Sequence, residues 1–271
     1  MSKEASSGLA APMPDVQSAR DLRNVPIDRV GVKHITYPIV LHCPRTGGSQ
    51  HTVAKVNMYV SLPHYQKGTH MSRFLEALNH FHQTIRVDQM KEICKDMRKR
   101  LQAQDAHMEV AFPYFLQKKA PVSGAPGMID VQVRFEVSSN ASEDFIMGVR
   151  VPATSLCPCS KEISAYGAHN QRCEIEARIR CAPGKYLWIE DLVELIEQSA
   201  SMQVYPVLKR PDEKYVTEKA YDNPKFVEDI VRDLAVKLDA DARIIWYHVT
   251  SENYESIHNH NAYAEVERDK R

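Results

Sequence analysis

The chain has 271 residues, and its 35 Lys and Arg against 35 Asp and Glu leave no net formal charge. That length allows one large domain or two fused small ones. The charge balance argues against a general nucleic-acid binder. No apolar run is long enough to span a bilayer, and residues 1–15 are rich in Ser, Ala and Pro without the apolar core of a signal peptide. The expectation is a cytoplasmic protein with a mobile tail over 1–25, binding neither nucleic acid nor membrane. Its cysteines (Cys43, Cys94, Cys157, Cys159, Cys173, Cys181) are too sparse for a disulfide scaffold and read as thiols.

In the first half, residues 30–42 and 52–62 alternate with β-branched side chains and predict strands. Residues 72–82 predict a helix, with Ser72 as N-cap and Phe74, Leu75 and Leu78 on its apolar face. A second helix over 87–104 carries Met90, Ile93, Cys94 and Met97 at helical spacing. Strands follow over 107–116 and 128–138, and Pro121, Gly124, Pro126 and Gly127 mark the turn between them. The second half repeats the order. Residues 145–153 and 172–181 alternate as strands, the latter with Cys173, Ile175, Ala177, Ile179 and Cys181 on one face. A helix over 189–202 follows. Another runs from Pro224 to about 238 with Asn223 as N-cap, and strands over 242–250 and 262–267 end the chain.

The reading is α+β: tandem ββααββ modules over 26–141 and 142–271, each an antiparallel four-stranded sheet with two helices on one face. Open sheet edges need covering, so a homo-oligomer closing into a barrel is expected.

The most chemical stretch is 155–171. Cys157 and Cys159 flank Pro158, and His169 follows shortly after. Thiolate and imidazole are ligands for zinc-like ions and also form nucleophile and base pairs. Structural zinc sites use wider Cys-x-x-Cys knuckles. With Pro158 stiffening the link, one sulfur can bind a metal while the other faces a substrate. Glu213, after Lys209, Arg210 and Pro211, can complete a Cys/His/Glu triad with a fourth position open; a solvated charged turn is the plainer alternative. Glu228, in the last long helix, has the chemistry to accept two hydrogen bonds from the N1–H and 2-amino edge of guanine. His258 and His260 join the last two strands and suit proton transfer. Lys67, His70 and Arg73 flank a helix start that suits a phosphate.

These segments resemble the type IB GTP cyclohydrolases. The resemblance is carried, nearly end to end and in order, by 13–17 (Met13 to Gln17), 68–74 around His70 and Arg73, 155–164 with 167–171, 208–218 around Glu213, and 255–260. It implies a tunnelling fold of two ββααββ modules and a homotetramer with active sites at subunit interfaces. It implies conversion of GTP and water to 7,8-dihydroneopterin triphosphate and formate, feeding folate synthesis, with queuosine synthesis as a further destination. It implies one divalent metal per site, zinc or manganese with iron as a further candidate, held by Cys157, His169 and Glu213. Cys159 would be the essential thiol, Glu228 the guanine anchor, and His258 and His260 active-site histidines. Lys67, His70, Arg73 and Lys214 are candidates for substrate contact at the triphosphate. Two other readings remain open: a tunnelling-fold nitrile reductase with a cysteine nucleophile, and a redox or closed metal protein built on Cys157 and Cys159.

Overall fold

Alternation of apolar and polar side chains makes long stretches of this chain extended, because each strand can then bury one face and solvate the other. The computed structural model describes residues 15–43, 48–80 and 89–271. The elements in order are β1 (Ile27–Cys43), β2 (Gly48–Leu62), α1 (Ser72–His80), α2 (Met90–Arg100), β3 (Ala106–Lys119), β4 (Pro126–Ser139), β5 (Glu143–Leu156), α3 (Pro158–Ile163), β6 (Asn170–Cys181), α4 (Ile189–Glu197), β7 (Met202–Gln203), α5 (Arg210–Asp222), α6 (Val227–Ala240), β8 (Ile244–Asn253) and β9 (Ala262–Asp269). All neighbouring strands pair antiparallel, in the order β1-β2-β3-β4-β5-β6-β8-β9, with β7 added to β5. The first half has the expected ββααββ order. The second departs from it, with α3 between β5 and β6 and with α4, β7, α5 and α6 between β6 and β8, and the β4–β5 pairing joins both halves into one sheet. The α+β reading holds.

The two faces of that sheet differ. On β4, Val131, Val133, Phe135 and Val137 are buried, and they join one apolar cluster with the buried stripes of α1, α2, α4 and α6. Between them Arg134 and Glu136 take part in a ladder of ion pairs with Glu109, Arg178 and their neighbours. Burying one large apolar side chain is worth roughly 1.5–3 kcal/mol, whereas a part-exposed ion pair is worth about 0–1 kcal/mol. The apolar face holds the sheet.

Several boundaries differ from the sequence expectation. Residues 1–14 and 44–47, and the expected helical residues 81–82 and 87–88, lie outside the described residues. Gln17, Ala19 and Asp21 make backbone hydrogen bonds to Gly68, Lys67 and Tyr65, so this part of the expected tail is tied to the β2–α1 connection. The helix expected over 189–202 stops at Glu197, because β5 runs past the end of β4 and needs partners on that side. Met202 and Gln203 supply them as β7, and Ser201 bonds both to Thr154 O and to the Leu156 amide. Asn223 does not start a helix. It ends α5, and its amide donates to Ala200 O and Ser201 O at 3.1 and 2.9 Å. α6 begins four residues later, at Val227, behind an N-cap Phe226 whose amide donates to Asp229 at 2.9 Å. Among the described residues no helix is long and apolar enough to cross a membrane.

Candidate active site

β5 ends at Leu156 because Pro158 cannot continue the ladder. Cys157 becomes the N-cap of α3, with extended backbone angles and its Sγ accepting from the Ser160 amide at 3.4 Å. Across the mouth of the β5–β6 pair stands His169, just before β6. The Cys157 amide donates to His169 O at 3.2 Å. Ser160 Oγ donates to Cys157 O at 3.1 Å and accepts from the His169 amide at 3.2 Å. Two backbone segments carrying a thiol and an imidazole are thereby clamped together.

The His169 ring is oriented as well. Its Nδ1 lies 2.9 Å from Gln171 Oε1 and 3.2 Å from Ser256 Oγ. Gln171 Oε1 can only accept, so Nδ1 is the donor in that contact, and Nε2 takes no part in either. Gln171, itself only 6% exposed, passes the chain on to Glu255 Oε1 through its Nε2 at 3.3 Å. This is the outer-shell support that metal-binding histidines use.

A cavity of about 210 Å³ opens beside Cys157, lined among others by Gln171, Lys225, Glu228, Asn253 and Glu255. Its far wall is the start of α6, fixed over the end of β5. The Lys225 amide donates to Leu156 O at 3.0 Å, Ser155 Oγ donates to Lys225 O at 3.0 Å, and Lys225 Nζ bonds Ser199 O and Asp233. Glu228 is thus in the first turn of α6, earlier in the helix than the sequence suggested, and exposed. The helix dipole favours its carboxylate there.

The other expected residues are dispersed. Cys159 is exposed on α3, two residues from Cys157. His258 and His260 are exposed in the β8–β9 connection with their rings stacked, 5.1 Å between centroids and 13° between planes. That connection leaves from Asn253 and returns at Ala262, both of which line the cavity. Glu213 and Lys214 are exposed in the first turns of α5, and Lys214 lies 3.8 Å from Glu218. Lys67, His70 and Arg73 sit in the other half, around the start of α1. There His70 Nε2 meets Asp15 at 3.3 Å and Arg73 donates to Arg100 O at 3.3 Å. None of these five lines the Cys157 cavity. A larger cavity of about 590 Å³ is lined by residues of the first half, with Arg29, Tyr65, Asp105 and His107 among its walls.

Among the described residues, no three His, Cys, Asp or Glu side chains converge as around a metal. The two segments clamped together nevertheless carry donor types that suit one: a half-buried thiol on Cys157 and an imidazole on His169, a soft and borderline set that fits zinc-like ions. Sequence reasoning missed Gln171 and Asn253. Gln171 had a usable signal, since two residues from His169 along a strand is the same face. Asn253 had none.

The family model described as GCHY-1, type I GTP cyclohydrolase folE2, matches residues 13–264. The chain is 55% identical over 259 residues to the GTP cyclohydrolase FolE2 of Geotalea uraniireducens, covering 96% of this chain and 94% of that one. It is 54% identical over 267 residues to that of Azoarcus sp., covering 98% of each. Among solved structures it is similar in fold to the urate oxidase of Bacillus subtilis 168, at a TM-score of 0.52 and 7% identity over 89% of this chain and 98% of that one. A uricase from Bacillus fastidious gives 0.50 and 8%, over 90% and 94%.

Proposed function

The chain belongs to the type I GTP cyclohydrolase FolE2 family, and from that premise we propose that it converts GTP and water to formate and 7,8-dihydroneopterin triphosphate, the first step of tetrahydrofolate synthesis, with queuosine as a second destination of the product. The observation that carries this reading is the cavity shared by Cys157 and Glu228, with His169 clamped to the Cys157 backbone. The volume suits a base rather than a whole nucleoside triphosphate, since sites that engulf a drug-sized ligand run to about 300–1,000 Å³. The phosphates would lie outside it.

Each role follows from what the side chain offers. Glu228 accepts from N1–H and one 2-amino proton of guanine, holding the purine by its polar edge. The stacked pair His258 and His260 hangs over the same end of the sheet and serves to protonate N7, which makes C8 electrophilic. Cys159, exposed beside Cys157, moves protons near the ring and ribose. Cys157, His169 and Glu213 would hold one divalent ion, zinc, manganese or iron, whose contribution when bound is to polarise the substrate and lower the pKa of water. Lys67, His70, Arg73 and Lys214 contact the triphosphate. The first three flank α1, outside this cavity, so they would reach it from a neighbouring copy in a homotetramer. The second module, 142–271, would then carry the base and metal site, and the first, 26–141, much of the phosphate site.

The test is turnover by metal-free protein, then with zinc or manganese restored, following formate and the fluorescent oxidised pterin. Metal-dependent release of both is the expected result, abolished by Cys159→Ala. Formate without pterin would mean a hydrolase that stops after ring opening. Neither product with any metal would overturn the proposal and return Cys157 and Cys159 to a redox or structural role.

A further inference from the structure

Asn253 closes β8 at the floor of the Cys157–Glu228 cavity and is only 2% exposed. Its two amide ends are treated differently. Nδ2 donates to Ser155 Oγ at 3.1 Å. Oδ1 is buried and has no hydrogen-bond partner. The orientation is not arbitrary. Ser155 has one hydroxyl proton, and it goes to Lys225 O. The Ser155 oxygen can therefore only accept from Asn253, which fixes Nδ2 toward it and leaves Oδ1 as the unpaired end. Buried acceptors are nearly always paired, and leaving one unpaired costs its desolvation. Of the unpaired buried side-chain atoms found among the described residues, this one alone belongs to a residue lining the cavity.

The base placed there has a matching surplus. Guanine presents three protons on its polar edge, N1–H and two on the 2-amino group. A carboxylate receiving the edge side-on takes N1–H and one amino proton. The second amino proton is left over. We infer that Asn253 is a specificity-determining residue whose Oδ1 accepts this remaining 2-amino proton, so that the cavity reads the 2-amino group from both sides. The inference rests on Glu228 holding the guanine edge. It adds that the 2-amino group is recognised beyond the carboxylate, by an acceptor oriented through Ser155 and the Lys225 carbonyl.

Hypoxanthine lacks the 2-amino group and keeps N1–H, so inosine triphosphate is the probe. The metal-loaded enzyme is assayed with GTP and with inosine triphosphate. In Asn253→Ala the ratio of kcat/KM for GTP over inosine triphosphate should fall about tenfold, the value of one hydrogen bond, through loss on GTP with little change on the analogue. Asn253→Leu keeps volume and gives the same readout should the alanine variant fold poorly. An equal loss on both substrates in the alanine and leucine variants would mean a purely structural amide and overturn the inference while leaving the activity standing. Absence of GTP turnover in the unaltered enzyme would overturn both.

Discussion

Asp212 in α5 is bound to Ser123 in the β3–β4 turn, 89 residues earlier in the chain. Its Oδ1 accepts from the Val122 and Ser123 amides at 2.8 Å each, and its Oδ2 from Ser123 Oγ at 2.6 Å and the Lys209 amide at 2.8 Å. Asp212 is fully buried. Burial alone would push its carboxyl up, but the hydrogen bonds from Ser123, Lys209 and Val122 outweigh that and hold it well below the usual carboxylate range. The carboxylate is thus a fixed pin between the first half of the chain and the helix start that carries Glu213.

If Glu213 is a metal ligand, the pin sets where its backbone stands. Ser123→Ala should then weaken metal binding several-fold and lower the thermal midpoint by a few degrees. Glu213→Gln should weaken metal binding with little change in the midpoint of the metal-free protein. Metal titration and melting of the metal-free variants separate the two. If Ser123→Ala lowers the midpoint and leaves metal affinity untouched, the pin serves stability alone.

Gln171 orients His169 without being a donor to metal itself, in the proposed arrangement. Gln171→Leu fills the same space but removes the acceptor for Nδ1–H, so the imidazole is free to turn. Losses from such outer-shell changes run to about 10–100-fold in metal affinity. Gln171→Glu restores an acceptor and should recover most of it. Competition against a metal-sensitive dye measures this independently of turnover.

The thiols should divide by environment. Burial pushes Cys94 and Cys173 up to about 12, so neither offers thiolate at neutral pH. Cys159 is exposed and Cys157 half-buried at the cavity. A charged alkylating reagent at neutral pH should modify Cys159 first. Bound metal should protect Cys157, and Cys94 and Cys173 should react only on unfolding. Peptide mapping with and without zinc reads all four, and rapid loss of Cys173 in the native protein would contradict its place on the buried face of β6.

The strands were legible because their alternation has one cause, a single buried face; Val131, Val133, Phe135 and Val137 need no other information. The start of α5 was legible from Pro211 ahead of Glu213 as a short helix, with a charged turn as the rival reading, but its length was not, because it buries just Asp212 and Ala220 and has almost no apolar stripe. The run 199–203 looks helical by composition, yet an unpaired stretch of β5 competes for it and wins. Asn223 before Pro224 reads as a helix start until its amide is seen spanning to Ala200 and Ser201. In the site, Cys157 and His169 announce themselves by type and spacing. Asn253 does not, because a polar residue at a strand end is usually solvated, and only the fold shows that this one is covered.

The larger cavity yields a prediction about acid. His107 is half-buried in its wall, and burial, followed by the nearby Arg29 guanidinium, lowers the imidazole below its ordinary value, while Asp105 and Glu109 pull the other way. Tyr59 faces it from β2. A base whose folded-state pKa is depressed binds a proton more readily in the unfolded chain. Stability then rises with pH across the gap between the two values. The contribution is complete above the unfolded value of about 6.5 and is lost as pH falls through that value toward the lower folded one. His107→Gln removes the charge change and keeps a polar side chain of similar reach. Urea midpoints measured from pH 8 down to about 5 should therefore fall less steeply in the variant than in the unaltered chain. Parallel curves would mean that His107 is as solvated when folded as when unfolded, which its place between β2 and Arg29 argues against.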